Sequence, residues 1–291
     1  MTQCGIQVTI PEFIYAVLLR PKPLRKWANA LIRAALPSQI RRDGAIVILN
    51  PNDPVVSGAL ALRVYENNET RFFKRVCKPG MTFVDVGANV GIYTALALPL
   101  IGSTGRVVAL EPDRESFEYL RKTVIANHAD NVTCVRKAAA DYAGVAKLFV
   151  SENNRGDNRL YDNELSTGSY EVEVTPLDVL LNELGITAVD LVKIDVQGFE
   201  GRVLRGMRET IARSPNLTIL MEFWPHGLRC ARTEPAELLT DLEDMGLVVS
   251  ELRSGGSLRL VEDHKALIER YPGRQYSNLV AVKAGVHHPP G

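Results

Sequence analysis

Five acids stand where apolar, strand-like runs end: Asp85, Glu111, Asp141, Asp195 and Glu222. If those runs form one parallel sheet, the acids crowd a single rim, and ligands of such sheets bind outside the carboxyl ends of the strands. Carboxylates there can accept from a ribose diol, face a cationic group, or take a proton from an attacking hydroxyl. The stretch Asp85-Val86-Gly87-Ala88-Asn89-Val90-Gly91 narrows the chemistry. An apolar strand, Thr82 to Val86, turns through glycines into a helix-compatible segment, the layout by which α/β proteins hold nucleotide-like ligands.

A dinucleotide is the first ligand to weigh, and with it an NAD-linked oxidoreductase. The turn departs from G-x-G-x-x-G, because Asn89 stands where the second glycine would admit a pyrophosphate. Asp85 would also set a negative charge beside the helix start that a pyrophosphate needs. S-adenosylmethionine meets neither obstacle. It has no phosphate and carries a cationic sulfonium and ammonium. Glu111 can accept both of its ribose hydroxyls.

The elements that position these residues alternate along the chain. After the opening strand comes a helix from about Gly91 to Leu98, limited by Pro99. A strand at Arg106–Leu110 precedes a helix carrying Phe117, Leu120 and Val124. Further strands are expected at 131–135, 147–150, 190–194, 217–221, 247–252 and 278–282, with an edge strand at 171–174. The polar stretch from Ser151 to Ser169 reads as a long functional loop. Thr175-Pro176-Leu177-Asp178 reads as a helix entry with a threonine cap. Ahead of the opening strand, Ala45 to Leu49 is β-like and Val55 to Val76 is helix-capable. Such alternation implies a mostly parallel sheet with helices on both faces.

Taken together, these segments resemble the FkbM family of S-adenosylmethionine-dependent methyltransferases. The resemblance runs from about Asp43 to Lys283. It rests on Asp85 to Gly91, Glu111-Pro112, Gly156-Asp157-Asn158-Arg159-Leu160, Lys193-Ile194-Asp195-Val196-Gln197-Gly198-Phe199-Glu200, and Glu222. It implies the class I methyltransferase fold: a Rossmann-like α/β sheet of seven strands, the last antiparallel. It also implies O-methylation of natural products or sugars. By the same resemblance the turn, with Asp85, Gly87, Asn89 and Gly91, would hold the methionine part of the cofactor, and Glu111 the ribose. Asp141 would meet the adenine amino group, although it equally opens an Asp-x-x-Gly turn. Asn154, Asp157, Asn158 and Arg159 would orient the acceptor. Tyr65-Glu66 resembles a family motif that reads as a lid or as plain core packing.

Methyl transfer to a hydroxyl requires positioning and a base within hydrogen-bond reach. Asp195 is the first candidate, Glu222 the second and His226 the third. Lys193, inside a strand, requires a carboxylate partner. Lys193, Asp195 and Glu200 can instead be read as a structural ion-pair set. Two acids could hold Mg2+ to bind the acceptor, but no dense carboxylate motif calls for it.

The 291 residues carry 34 basic and 34 acidic side chains. A net charge of zero gives no general pull toward nucleic acid. The segment after Asp195 also lacks the Pro-Pro-aromatic clamp of nucleic-acid amino-methylating enzymes. Cys4, Cys77, Cys134 and Cys230 form no C-x-x-C pair and read as reduced thiols of a cytoplasmic protein. No apolar run is long enough to span a bilayer. Residues 1–45 read as an N-terminal helical extension, with Leu24, Trp27, Leu31 and Ile32 at helical spacing beside a basic face. The methyltransferase domain spans 46–285, and 286–291 form a loose tail. A scaffold that binds the cofactor without turnover is the remaining alternative. The partner expected is a small-molecule hydroxyl acceptor, with homo-oligomerisation left open.

Overall fold

The structure is a computed structural model describing residues 35–62, 65–151, 154–162 and 166–286. The helix expected around Leu24 to Ala35 lies, but for Ala35, outside the described residues, as does all of the tail except Val286.

The described chain opens with a hairpin, β1 (Gln39–Arg42) and β2 (Ala45–Ile48). Asp43 and Gly44 form its turn with φ of 49° and 90°, the Asp-Gly chemistry a two-residue hairpin favours. The hairpin therefore joins residues on both sides of the boundary drawn after residue 45. It is fixed to the domain by side chains, since Asn127 and Thr123 accept the Ile46 and Ile48 N–H groups at 2.8 and 3.0 Å.

Val55 to Val76 is two helices, not one run. Helix α1 (Pro54–Ala61) is capped by Asp53, which accepts the Val56 N–H. Helix α2 (Asn67–Val76) starts after Glu66, whose left-handed backbone (φ 42°, ψ 54°) breaks the path. There follow β3 (Thr82–Val86), α3 (Ile92–Ile101), β4 (Arg106–Leu110), α4 (Arg114–Ala126) and β5 (Val132–Val135). Pro99 lies within α3 rather than ending it. Its missing N–H costs one bond near the helix end, and the following Ile101 is fully buried.

A small separate sheet comes next, made of β6 (Ala138–Ala139), β7 (Gly144–Val150) and β8 (Gly168–Thr175), with β8 in the middle. The expected edge strand at 171–174 is thus a central one. Helix α5 (Leu177–Glu183) has no side-chain cap. The Asp178 carboxylate instead accepts the Glu209 and Thr210 N–H groups, capping a helix further along. The chain continues through β9 (Leu191–Ile194), α6 (Glu200–Arg205), α7 (Arg208–Arg213), β10 (Thr218–Phe223), α8 (Pro225–Cys230) and α9 (Pro235–Asp244). It closes with β11 (Leu247–Leu252), β12 (Leu258–Leu260), α10 (His264–Arg270) and β13 (Ser277–Lys283).

The main sheet has eight strands in the order β12-β11-β13-β10-β9-β3-β4-β5. Strands β5, β4, β3, β9 and β10 pair in parallel. Strand β13 inserts antiparallel between β10 and β11. That is the expected Rossmann-like methyltransferase sheet, plus one short exposed strand, β12, on its edge. Successive residues of each central strand face opposite cores. Val84, Val192 and Ile219 pack against α5, α6 and α9, while Phe83, Leu191 and Leu220 pack with α2 and α3. Strand β3 is flanked by β4 on one side and β9 on the other. The chain reverses direction across the sheet there, and the crevice above that point is where such sheets bind ligands.

Candidate functional site

A cavity of about 1310 Å³ opens over that crevice. Its wall beside β3 is the turn from Gly87 to Gly91. Gly87, Asn89 and Gly91 all take positive φ, of 83°, 51° and 85°. Asn89 tolerates the left-handed conformation that a glycine would otherwise supply. Gly87 is required for space as well, since a Cβ there would lie 2.0 Å from the Asp195 carbonyl oxygen. The Gly87 and Ala88 N–H groups donate to the Leu110 carbonyl, which pins the turn to the end of β4.

Two acids face this wall. Glu111 accepts the Asn89 N–H on one oxygen and the Asp113 N–H on the other, each at 2.8 Å. Burial, with the Asp113 charge second, pushes its carboxyl up to about 8. Asp85 is buried and accepts from the Thr94 hydroxyl at 2.7 Å. Burial raises it to about 6, against the opposing pull of Lys193.

Beside β3 in the sheet, the ends of β9 and then β10 continue the cavity lining. Lys193 is buried, and its Nζ lies 2.8 Å from Asp195 and 4.0 Å from Glu66, over the Tyr93 ring. The Tyr93 hydroxyl donates to Glu66 at 2.6 Å. The Gln197 amide donates to Asp195 at 3.1 Å and to Glu222 at 3.2 Å, tying the two carboxylates together. Burial and then the Asp195 charge raise Glu222 well above the usual carboxylate range. Glu200 does not join Lys193. It accepts the Val196 and Gly198 N–H groups and thereby fixes the loop after β9.

At the mouth, Trp224 is held by a 2.9 Å bond from its indole N–H to the Gly273 carbonyl. Arg159 lies over its ring, and His226 packs beside it with Nε2 3.6 Å from the Cys230 sulfur. Arg159 pairs with Asp157, and Asn158 accepts the Ser151 N–H. Asn154, Asp157, Asn158 and Arg159 all line the cavity.

Asp141 does not. Arg202 and Arg205 of α6 hold its carboxylate at 3.0 and 3.2 Å, and it lies off the cavity wall. Arg155 and Trp224 line the cavity without having been singled out for roles there, and Glu66 and Gln197, marked only as parts of motifs, line it too. Arg155 gave only the signal of a charged residue within a polar loop. Among the described residues, no three His, Cys, Asp or Glu side chains are grouped to hold a metal ion. No described helix is long and apolar enough to cross a membrane.

Comparison with known proteins gives this geometry a family. The chain is 25% identical over 205 residues to "Methyltransferase sdnD" of Sordaria araneosa, covering 59% of this chain and 75% of that one. It is 28% identical over 153 residues to "2-O-methyltransferase NoeI" of Sinorhizobium fredii, covering 47% of this chain and 61% of that relative's length. Among solved structures, methyltransferase FkbM from Methylobacillus flagellatus KT superposes with a TM-score of 0.42 at 15% identity, over 90% of this chain and 60% of that one. The methyltransferase FkbM domain model matches residues 85–257, more than half of the chain. The chain therefore belongs to the FkbM family and is an S-adenosylmethionine-dependent methyltransferase.

Proposed function

We propose that this enzyme methylates a hydroxyl group, on a sugar or a similar hydroxyl-rich small molecule, and that Glu222 takes the hydroxyl proton. The observation that carries the reading is the carboxylate pair Asp195–Glu222, joined by Gln197 and lining the same cavity as the glycine turn.

The turn side suits the cofactor. The Asn89 Oδ1 is buried without a hydrogen-bond partner among the described residues, an acceptor suited to an ammonium or hydroxyl donor. Each Glu111 oxygen takes a single backbone N–H and so keeps lone-pair capacity for a ribose diol. Asp85 and the turn from Gly87 to Gly91 hold the methionine end. When bound, S-adenosylmethionine supplies a methyl group on a positively charged sulfur.

The chain's own task is then to aim a hydroxyl at that carbon and to remove its proton. A base works best when its proton affinity is near neutral rather than that of an ordinary carboxylate. Glu222 is lifted in that direction by burial and by Asp195, whereas Asp195 itself is ion-paired with Lys193. On this ground Glu222 is preferred to Asp195 as the base, the reverse of the order drawn from sequence. Asp195 orients the hydroxyl and sustains Glu222's proton affinity. His226, exposed and packed on Trp224, serves the mouth together with Asn154, Asp157, Asn158 and Arg159. The 2-O-methyltransferase relative supports oxygen as the target atom.

Incubation with S-adenosylmethionine carrying a labelled methyl group, over a panel of methyl glycosides and polyhydroxylated small molecules, tests the proposal. Labelled O–CH3 by NMR and mass spectrometry is expected. Label on nitrogen or carbon, or no transfer across the panel, overturns it.

A further inference from the structure

Arg155 has no part in the roles above, yet separate stretches of chain converge on it. Its backbone N–H donates to Asp53 Oδ2 at 3.1 Å. Its guanidinium spans two carboxylates, reaching Asp113 at 3.1 Å and Glu115 at 2.5 Å. Asp113 is itself a hub. It is 1% exposed, accepts the Tyr170 hydroxyl at 2.6 Å, and caps α4 through the Ser116 N–H at 2.8 Å. The Asp113 N–H is also the donor that holds one oxygen of Glu111.

The next residue closes the circuit. A Cβ on Gly156 would lie 3.1 Å from a Val56 methyl and 3.5 Å from the Asn89 side-chain nitrogen. The loop carrying Arg155 therefore rests directly on the glycine turn, and Asn89 in turn donates its N–H to Glu111. Arg155 thus ties the loop over the cavity to two places: its backbone N–H to Asp53, before the matched domain, and its guanidinium to Asp113, whose own N–H holds the carboxylate assigned to the ribose. A planar fork can hold two carboxylates at once, which an ammonium on a flexible stem does poorly.

We propose that Arg155 is a positioning residue that clamps the 154–162 loop over the ribose end of the cofactor site, so that the cofactor leaves only when the clamp opens. The inference rests on the reading of Glu111 as the ribose acceptor.

The test uses the full chain and S-adenosylhomocysteine, with dissociation followed by stopped-flow fluorescence and thermal unfolding measured beside it. Arg155→Ala is expected to raise the dissociation rate at least tenfold, Arg155→Lys by an intermediate factor, and Glu115→Gln by less. The unfolding midpoint of the unliganded protein should stay within about 3 °C of wild type. A residue that only supported the fold would lower the midpoint and leave the dissociation rate alone. If Arg155→Ala does not fold, Arg155→Lys and Glu115→Gln carry the same comparison. A dissociation rate within twofold of wild type in the folded variants overturns the clamp. Glu111→Gln separates this failure from that of the ribose reading. If it binds S-adenosylhomocysteine as wild type does, the ribose reading fails. If it binds weakly while the Arg155 variants release normally, only the clamp fails.

Discussion

The two sides of the cavity are built differently. The side proposed for the cofactor is largely local: strand, turn and helix from Thr82 to Ile101, plus the acid that follows β4, pinned mainly by backbone groups. The side proposed for the acceptor is assembled from Glu66 before β3, the ends of β9 and β10, and the turn at 273–276, with the loop at 154–162 reaching over both. Side chains tie its members to one another, through Lys193, Gln197 and Trp224. The difference teaches where change is tolerated. Main chain fixes one shape for one cofactor, whereas the side chains mounted on distant segments can be refitted to another acceptor, provided that the Arg155 contacts and the main-chain packing beneath them are kept.

The sharpest way to separate the walls is Glu222→Gln. Loss of a positioned base should lower methyl transfer by about 10²–10⁴-fold, with S-adenosylhomocysteine affinity within about twofold of wild type by calorimetry. Gly87→Ala should break the separation itself. The positive φ and the contact at 2.0 Å with Asp195 predict about 2–4 kcal/mol of lost stability in denaturant unfolding. Cofactor affinity and transfer should fall together.

Glu111→Gln should act on one wall only, weakening S-adenosylhomocysteine by about 10–100-fold, the range of a hydrogen bond to a charged group. Because burial lifts Glu111 to about 8, hydroxyl donors that prefer the ionised form should bind more tightly as pH rises from about 6 to about 8. The variant should show no such slope. The linked effect on folding has the opposite sense. Between 4.5 and about 8 the folded protein keeps a proton that the unfolded chain has lost. The unliganded protein should therefore lose stability as pH rises through that window.

Asp195→Asn should lower transfer by about tenfold and carry a distinct signature. Removing its charge lowers the proton affinity of Glu222, so the rise of rate with pH should move to lower pH. Smallest of all, His226→Asn should stay within about threefold of wild type.

The same contrast governs what could be read from the chain. The strand, the turn and Glu111 were legible because their chemistry is contiguous and each residue's neighbours state its conformation. Asp195 and Glu222 were legible as strand-end acids, but their ranking depended on Lys193 pairing with one of them, a matter of side-chain distance. Between an adenine contact and a turn role for Asp141 the sequence offered no choice, and strand-end position alone cannot foresee that Arg202 and Arg205 take its carboxylate off the cavity. Glu66 and Arg155 lie in stretches that read as a lid motif and a functional loop, but their own contacts were not legible, because only folding brings Tyr93 and Lys193 to Glu66 and Asp53 and Asp113 to Arg155. The break between α1 and α2 was hidden because a glutamate does not advertise a left-handed backbone.

A Cβ on Gly198 would come within 2.5 Å of the Gly227 carbonyl oxygen, just as one on Gly87 would strike that of Asp195. The turns after β3 and β9 and the helix after β10 are thus stacked main chain on main chain, like three rails bolted edge to edge. Spacing along the rim is set by the rails, and the acids are fittings mounted on them. A library that varies residues 195, 197 and 222 while keeping Gly87 and Gly198 would exchange the fittings and leave the gauge unchanged.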